Sequence, residues 1–292
     1  MTTPADNPRP LLFDGATGTM LASQRQGRYC DELSLSHPDA VAALYLSYLR
    51  SGADIITTNT FNSNSVSFGA TAATRLCAAG AAVARRSIDT WCAEEDVAQP
   101  RPRVAGCLGP TAMAASKSDA AGRRALEQAF AEASLALMEG GVEMLLVESV
   151  YDGESGRIAV AAACETMARR GFDLPLTVSL TVDPRTTHLF NGEEPLAFYA
   201  AIADARPVAL GFNCTAVDAA VLRRCASQCG CGILYSPSAG LPDANGVYGC
   251  TPDAFADVMA PLMRDGTLAM AGGCCGTTPE HIAALRRLRD SL

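Results

Sequence analysis

A chain of 292 residues, 49% hydrophobic and 18% charged, is long enough for one large core and too apolar for a disordered segment. Its formal net charge of −8, with Lys and Arg scattered in short pairs such as Arg85-Arg86 and Arg223-Arg224, leaves no basic stripe and argues against a nucleic-acid partner. Twelve cysteines in a chain of this size suit buried thiols or a metal better than a disulfide framework, and no apolar run approaches the ~20 residues that cross a bilayer; together these features point to a cytoplasmic protein with no membrane partner.

Residues 1–9 are polar and Pro-containing, lack the apolar stretch of a signal peptide, and read as a flexible tail before one domain over 10–292. The first apolar segment is 11–14. Ser36-His37-Pro38-Asp39 then places a capping Ser and an early Pro before a helix-periodic run to Leu49, which Ser51-Gly52 stops. The second segment, 54–58, is followed by an Ala-rich helical stretch, with Trp91 in a helix or linker ahead of the third at 103–108. Ser118-Asp119 opens a helix to Met138, closed by Gly140-Gly141, and the fourth segment is 144–148. Segments at 176–181, 208–213, 232–235 and 267–271 complete the series, with Thr251-Pro252-Asp253 and Thr278-Pro279-Glu280 giving cap-then-Pro starts to the last two helices. Most segments are continuous apolar runs, as in strands covered on both faces. Strand then helix, eight times at even spacing, predicts a single (β/α)8 barrel, with a doubly wound sheet as the alternative.

In a parallel barrel the chemistry sits where strands end. Here the ends carry Asp14-Gly15, Thr58-Asn59-Thr60, Glu148, Asn213-Cys214 and Gly272-Gly273-Cys274-Cys275-Gly276. Cys214, Cys274 and Cys275 would give zinc three thiolates and leave its fourth position for substrate. Adjacent cysteines face opposite sides of a strand, so Cys274 and Cys275 can share an ion only where the backbone has left the strand, as the flanking glycines permit. Taken alone, that segment reads equally well as a tight turn with two buried thiols, or as a Gly-rich turn cradling a phosphate. Cys77, Cys92 and Cys164 lie in Ala-rich helical patterns and read as small core residues.

Zinc has a clear task if the substrate is itself a thiol, because coordination deprotonates a group whose free pKa is ~8.5. Cys214, Cys274 and Cys275 are then both metal ligands and the catalytic set. Asp14 and Glu148 are placed to hold a substrate ammonium, and the amides of Gly15 and Ala16 with the Thr58 hydroxyl to take a carboxylate. Asn213, beside Cys214, joins the substrate-binding set.

These segments together resemble the homocysteine S-methyltransferase family, and look most like the homocysteine-binding N-terminal module of cobalamin-dependent methionine synthase. The resemblance is carried by Phe13-Asp14-Gly15-Ala16-Thr17-Gly18-Thr19-Met20, Gly52-Ala53-Asp54-Ile55-Ile56-Thr57-Thr58-Asn59-Thr60-Phe61, Leu146-Val147-Glu148, Gly211-Phe212-Asn213-Cys214, Ser238-Ala239-Gly240-Leu241-Pro242 and the stretch from Gly272 through Thr277-Thr278-Pro279-Glu280-His281. It spans nearly the whole chain, and the last stretch is highly specific. Thr57 stands where some relatives have Glu, and Gly153 to Arg157 departs from the usual wording. The resemblance implies zinc on the three cysteines, homocysteine as methyl acceptor, methionine as product, and Asp14 and Glu148 at the amino group.

The resemblance leaves three donors open. The chain carries no Asp-x-His-x-x-Gly corrinoid signature, so methylcobalamin as donor implies a corrinoid protein as partner. S-methylmethionine and betaine are the alternatives; both are cations that favour aromatic rings, for which Tyr151, Phe190, Tyr235 and Tyr248 are candidates. A non-catalytic zinc- or homocysteine-binding subunit of a larger methyl-transfer complex is the reading from another class.

Overall fold

The structure is a computed structural model that describes residues 9–25, 27–96 and 100–292; residues 1–8 of the expected tail lie outside the described residues. Eight strands run β1 (Leu11–Leu12), β2 (Ile55–Thr57), β3 (Arg103–Leu108), β4 (Met144–Val150), β5 (Leu176–Leu180), β6 (Ala209–Asn213), β7 (Gly232–Ser236) and β8 (Met270–Ala271). Every named pairing is parallel, in the order β1-β8-β7-β6-β5-β4-β3-β2. The circle closes through a parallel bridge from Phe13 to Ile55, with Asp54 N–H donating to Leu12 O (2.7 Å) and Asp14 N–H to Ile55 O (3.0 Å). The fold is therefore the expected (β/α)8 barrel and not an open doubly wound sheet. No helix among the described residues is long and apolar enough to cross a membrane.

The longer helices are α1 (Pro38–Arg50), α2 (Ala70–Glu94), α3 (Ala120–Glu139), α4 (Gly153–Arg170), α5 (Pro195–Ile202), α6 (Ala219–Gln228), α7 (Pro252–Arg264) and α8 (Pro279–Asp290). Their starts follow local chemistry. Asp119, Asp152, Asp218 and Thr251 each accept an N–H of the first turn, which satisfies donors that the helix itself cannot. Ser36 departs from its expected role: His37 is the N-cap of α1, while the Ser36 hydroxyl donates to Glu32 O within a short preceding helix, Leu33–Ser36. Trp91 falls inside α2.

Two apolar clusters follow from strand periodicity. The larger lies between strands and helices and takes in Cys77 and Cys92, with Cys164 packed against it, as expected of small apolar side chains. The smaller fills the barrel interior with Phe13, Ile55, Ala105, Met144, Leu146, Ala209, Leu234 and Met270. Two residues further along, the same inward register delivers Thr57, Cys107, Glu148 and Ser236, and four residues beyond Ala209 it delivers Asn213. The apolar plug thus forms the floor of a polar mouth.

Candidate active site

A cavity of about 350 Å³ opens at the C-terminal ends of the strands, and its lining includes Cys214, Cys274 and Cys275 together with Asp14, Glu148 and Cys107. The three Sγ atoms lie within 4.8 Å of one another, and no other group of His, Cys, Asp or Glu meets in this way among the described residues. Tetrahedral ligands at 2.3 Å stand ~3.8 Å apart, so three soft donors at this separation, with the cavity beside them, fit zinc with a position left for a ligand.

Local backbone makes the meeting possible. Cys214 leaves β6 with φ of +63°, a left-handed conformation rare outside glycine, which turns its thiol away from the strand pleat. Cys274 and Cys275 lie beyond β8 in a turn pinned to three neighbours: Gly273 N–H donates to Asp14 O (3.2 Å), Cys274 N–H to Pro237 O (2.9 Å), and Gly276 N–H to Thr19 Oγ1 (3.1 Å). These amides are therefore satisfied within the protein, which removes the donors that a phosphate cradle would need. Gly276 has φ of +78°, and a Cβ there would run into the Tyr248 ring.

The thiols share protons. Hydrogen bonds from Cys214 and Cys274, with one from Tyr248, hold the Cys275 thiol down to about 3. Cys214, lowered by Cys274 but raised more by Cys275 and by burial, sits at about 12, and Cys274 is pushed well up by its two sulfur neighbours. The three sulfurs form one hydrogen-bonded cluster. Asn213 braces it: Nδ2 donates to Ser149 Oγ (2.6 Å) and reaches Cys214 Sγ (3.5 Å) and Cys274 Sγ (4.0 Å), while Oδ1 accepts from Ser179 Oγ (2.8 Å). Asn213, expected to bind substrate, thus lines the cavity in contact with the thiols.

The lining also holds two carboxylates. Asp14 is buried and accepts from Thr57 N–H (2.8 Å) and Oγ1 (2.9 Å). Burial outweighs both bonds, and with the charge of Glu148 it raises the Asp14 carboxyl to about 8. Glu148 is also raised by burial, accepts from Cys107 Sγ (3.0 Å), and has no ion-pair partner among the described residues. It sits on a bulge, where the β4–β5 register shifts between Val147 and Val150 and Ser149 has φ of +59°. A buried and a half-buried carboxylate without a cation among the described residues suit an ammonium ligand.

The expected carboxylate contacts are partly in use. The Ala16 amide donates to Thr277 Oγ1 (3.1 Å), and Thr58 Oγ1 receives Cys107 N–H (2.9 Å) and shares a hydrogen with Thr60 Oγ1 (2.7 Å). Gly15 lines the cavity at a close approach: a Cβ there would meet Tyr48 at 2.8 Å. Of the candidate rings, Tyr235 is buried with its hydroxyl accepting from Val217 N–H (3.0 Å), Tyr151 donates to Thr111 O (3.0 Å), and Phe190 is exposed; Tyr248 touches Cys275. The rings that line the cavity are instead Phe13, Tyr29 and Phe61. Thr57, Cys107 and Ser179 were not anticipated as cavity residues; counting by twos from the inward-facing positions Ile55, Ala105 and Thr177 would have found them.

Fold and site together define a parallel-barrel enzyme built around a three-thiol centre. A sequence model of the homocysteine S-methyltransferase family matches residues 11–288, and the chain belongs to that family of methyltransferases. Structures of the homocysteine methyltransferase MmuM from Escherichia coli are similar over nearly their full length. The apo form shares 23% identity with a TM-score of 0.76, covering 97% of each chain. The metallated form shares 22% with a TM-score of 0.78 and 97% coverage of each, and the oxidised form 22% with 0.80, covering 98% of this chain and 99% of that one.

Proposed function

We propose that this enzyme methylates the thiol of L-homocysteine to give L-methionine, with zinc on Cys214, Cys274 and Cys275, and that its barrel is one domain over 10–292. The observation that carries the reading is three converging sulfurs in one amino-acid-sized cavity with two carboxylates, buried Asp14 and half-buried Glu148, that have no ion-pair partner among the described residues. Bound to the cysteines, zinc supplies the Lewis acidity that keeps a thiol ligand deprotonated near neutral pH. The protein does the rest. Asn213 orients the sulfurs, Asp14 and Glu148 receive the α-ammonium, and the Gly15 amide and Thr58 segment face the carboxylate. A carbon–sulfur bond forms on the acceptor as the donor's bond to its methyl breaks, and the acceptor's thiol proton is released. Twelve unpaired cysteines favour a reducing, cytoplasmic setting.

We take the donor to be a methylated corrinoid on a separate protein. A cavity of about 350 Å³ holds an amino acid but not a corrin ring, so such a donor meets the acceptor at the mouth. Tyr29 and Phe61 in the lining favour a second reading, a cationic donor such as S-methylmethionine or betaine.

The test is methionine formation by the zinc-loaded chain with methylcobalamin, S-methylmethionine and betaine in turn, alongside proton release and a new metal–sulfur bond on adding homocysteine. Turnover with any donor establishes the enzyme. Failure of all three donors together with absence of proton release sinks the reading, whereas proton release without turnover identifies a zinc- and homocysteine-holding subunit.

A further inference from the structure

The two carboxylates of the cavity lining are held in unlike ways. Asp14 is gripped by two donors of one residue, Thr57. Glu148 rises from a bulged part of β4, where the backbone alone does not fix side-chain direction as a regular pleat does. Its partner is a thiol: Cys107 Sγ donates to Oε2 at 3.0 Å. Cys107 is itself immobilised, with its N–H given to Thr58 Oγ1 (2.9 Å), its carbonyl accepting from Thr60 Oγ1 (2.8 Å), and only 2% of its surface exposed.

We infer that Cys107 is a positioning residue of the acceptor site, which holds one oxygen of Glu148 so that the other faces the ammonium of the acceptor. The inference rests on the reading of Glu148 as an ammonium partner. A thiol is a weak donor, so it fixes the direction of the carboxylate while leaving most of its charge for the ligand. A guanidinium or ammonium in the same place would orient Glu148 equally well and neutralise it. The inward register of β3, from Ala105 to Cys107, puts the thiol beside Glu148 on the neighbouring strand. Burial raises the Glu148 carboxyl and the Cys107 bond opposes that rise, in keeping with a thiol that favours the charged carboxylate.

Binding to the zinc-loaded full chain provides the test, with homocysteine and its des-amino analogue 4-mercaptobutanoate as probes. Cys107→Val should weaken homocysteine about tenfold, as expected for one lost hydrogen bond to a charged group. It should leave 4-mercaptobutanoate within about twofold, the ordinary scatter of a neutral change. Cys107→Ser, which restores a donor, should recover most of the homocysteine affinity. Equal weakening of both ligands by Cys107→Val, or of neither, overturns the inference. Glu148→Gln separates the two levels: if it too fails to discriminate between the ligands, the ammonium reading of Glu148 falls and the role of Cys107 with it. If Cys107→Val does not fold, the infrared spectrum decides. The wild type minus Cys107→Ser difference should contain a thiol stretch below that of unbonded thiols, and Glu148→Gln should shift it; an unshifted band overturns the inference.

Discussion

A set of three cysteines lies at each end of the barrel, and the contrast between the two sets shows what a thiol centre requires. At the mouth, Cys214, Cys274 and Cys275 arrive from two separate strand ends, and all three sulfurs meet beside a cavity. At the opposite end Cys225, Cys229 and Cys231 are strung along the passage from α6 to β7, and although Cys229 interacts with both neighbours the three do not form such a group. Cys225 is fully buried and the Tyr199 hydroxyl takes part at Cys231. The thiols strung along one segment do not gather at one point, whereas those brought from two distant strand ends, with Cys214 in a left-handed conformation, do.

The largest effect expected is at Cys214. Cys214→Ser should abolish zinc retention and methionine formation, whereas Cys225→Ser should leave both near wild type; metal analysis after desalting, with an assay, breaks the comparison if the two variants behave alike. Next comes the brace. Asn213→Ala removes the donor shared by two of the sulfurs and should cut zinc affinity about 10–100-fold, measured by chelator competition. Glycines at the two ends give a third contrast. Gly276→Ala forces a Cβ into a left-handed residue against the Tyr248 ring, at a backbone cost of roughly 1–2 kcal/mol, so the melting temperature should fall by about 3 °C or more. Gly230→Ala meets only the Tyr199 hydroxyl, at 3.8 Å, and should melt with the wild type.

The smallest effect concerns reactivity alone. Hydrogen bonds from Cys229 and Tyr199 lower the Cys231 thiol to about 7 despite burial. The thiolate is the reactive form, so alkylation of Cys231 should rise with pH through about 7, below the range of an ordinary thiol. Tyr199→Phe removes a bond that favours the thiolate and should move the midpoint upward. Peptide mapping with the zinc site filled reads this without interference; an unchanged midpoint removes Tyr199 from the account.

The sequence showed much of this arrangement because parallel strands advertise themselves as apolar runs. All eight segments became strands, with β3 at its expected limits and the first and last shortened to two residues. The three thiols were legible from their place after strand ends and from the glycines around two of them. Thr57 and Cys107 were not, since each lies inside a strand and looks like an ordinary core-forming residue until the inward register is known. Nor was the contact of Asn213 with the thiols, in an orientation set by Ser149 and Ser179 on two other strands. The bulge at Glu148 has no local signature, being set by how β4 pairs with β5.

The seam of the barrel has a consequence for when the enzyme becomes competent. Its first strand pairs with its last, α8 returns Arg289 to Asp54 at 2.6 Å, and the turn bearing Cys274 and Cys275 is tied to Asp14 and Thr19. A chain emerging from the ribosome therefore has one of the three sulfurs proposed to hold zinc, and no partner for it, until the turn after β8 is made. On that proposal metal uptake would report ring completion, and a polypeptide cut short before β8 would leave synthesis with neither a closed wall nor a place for the ion.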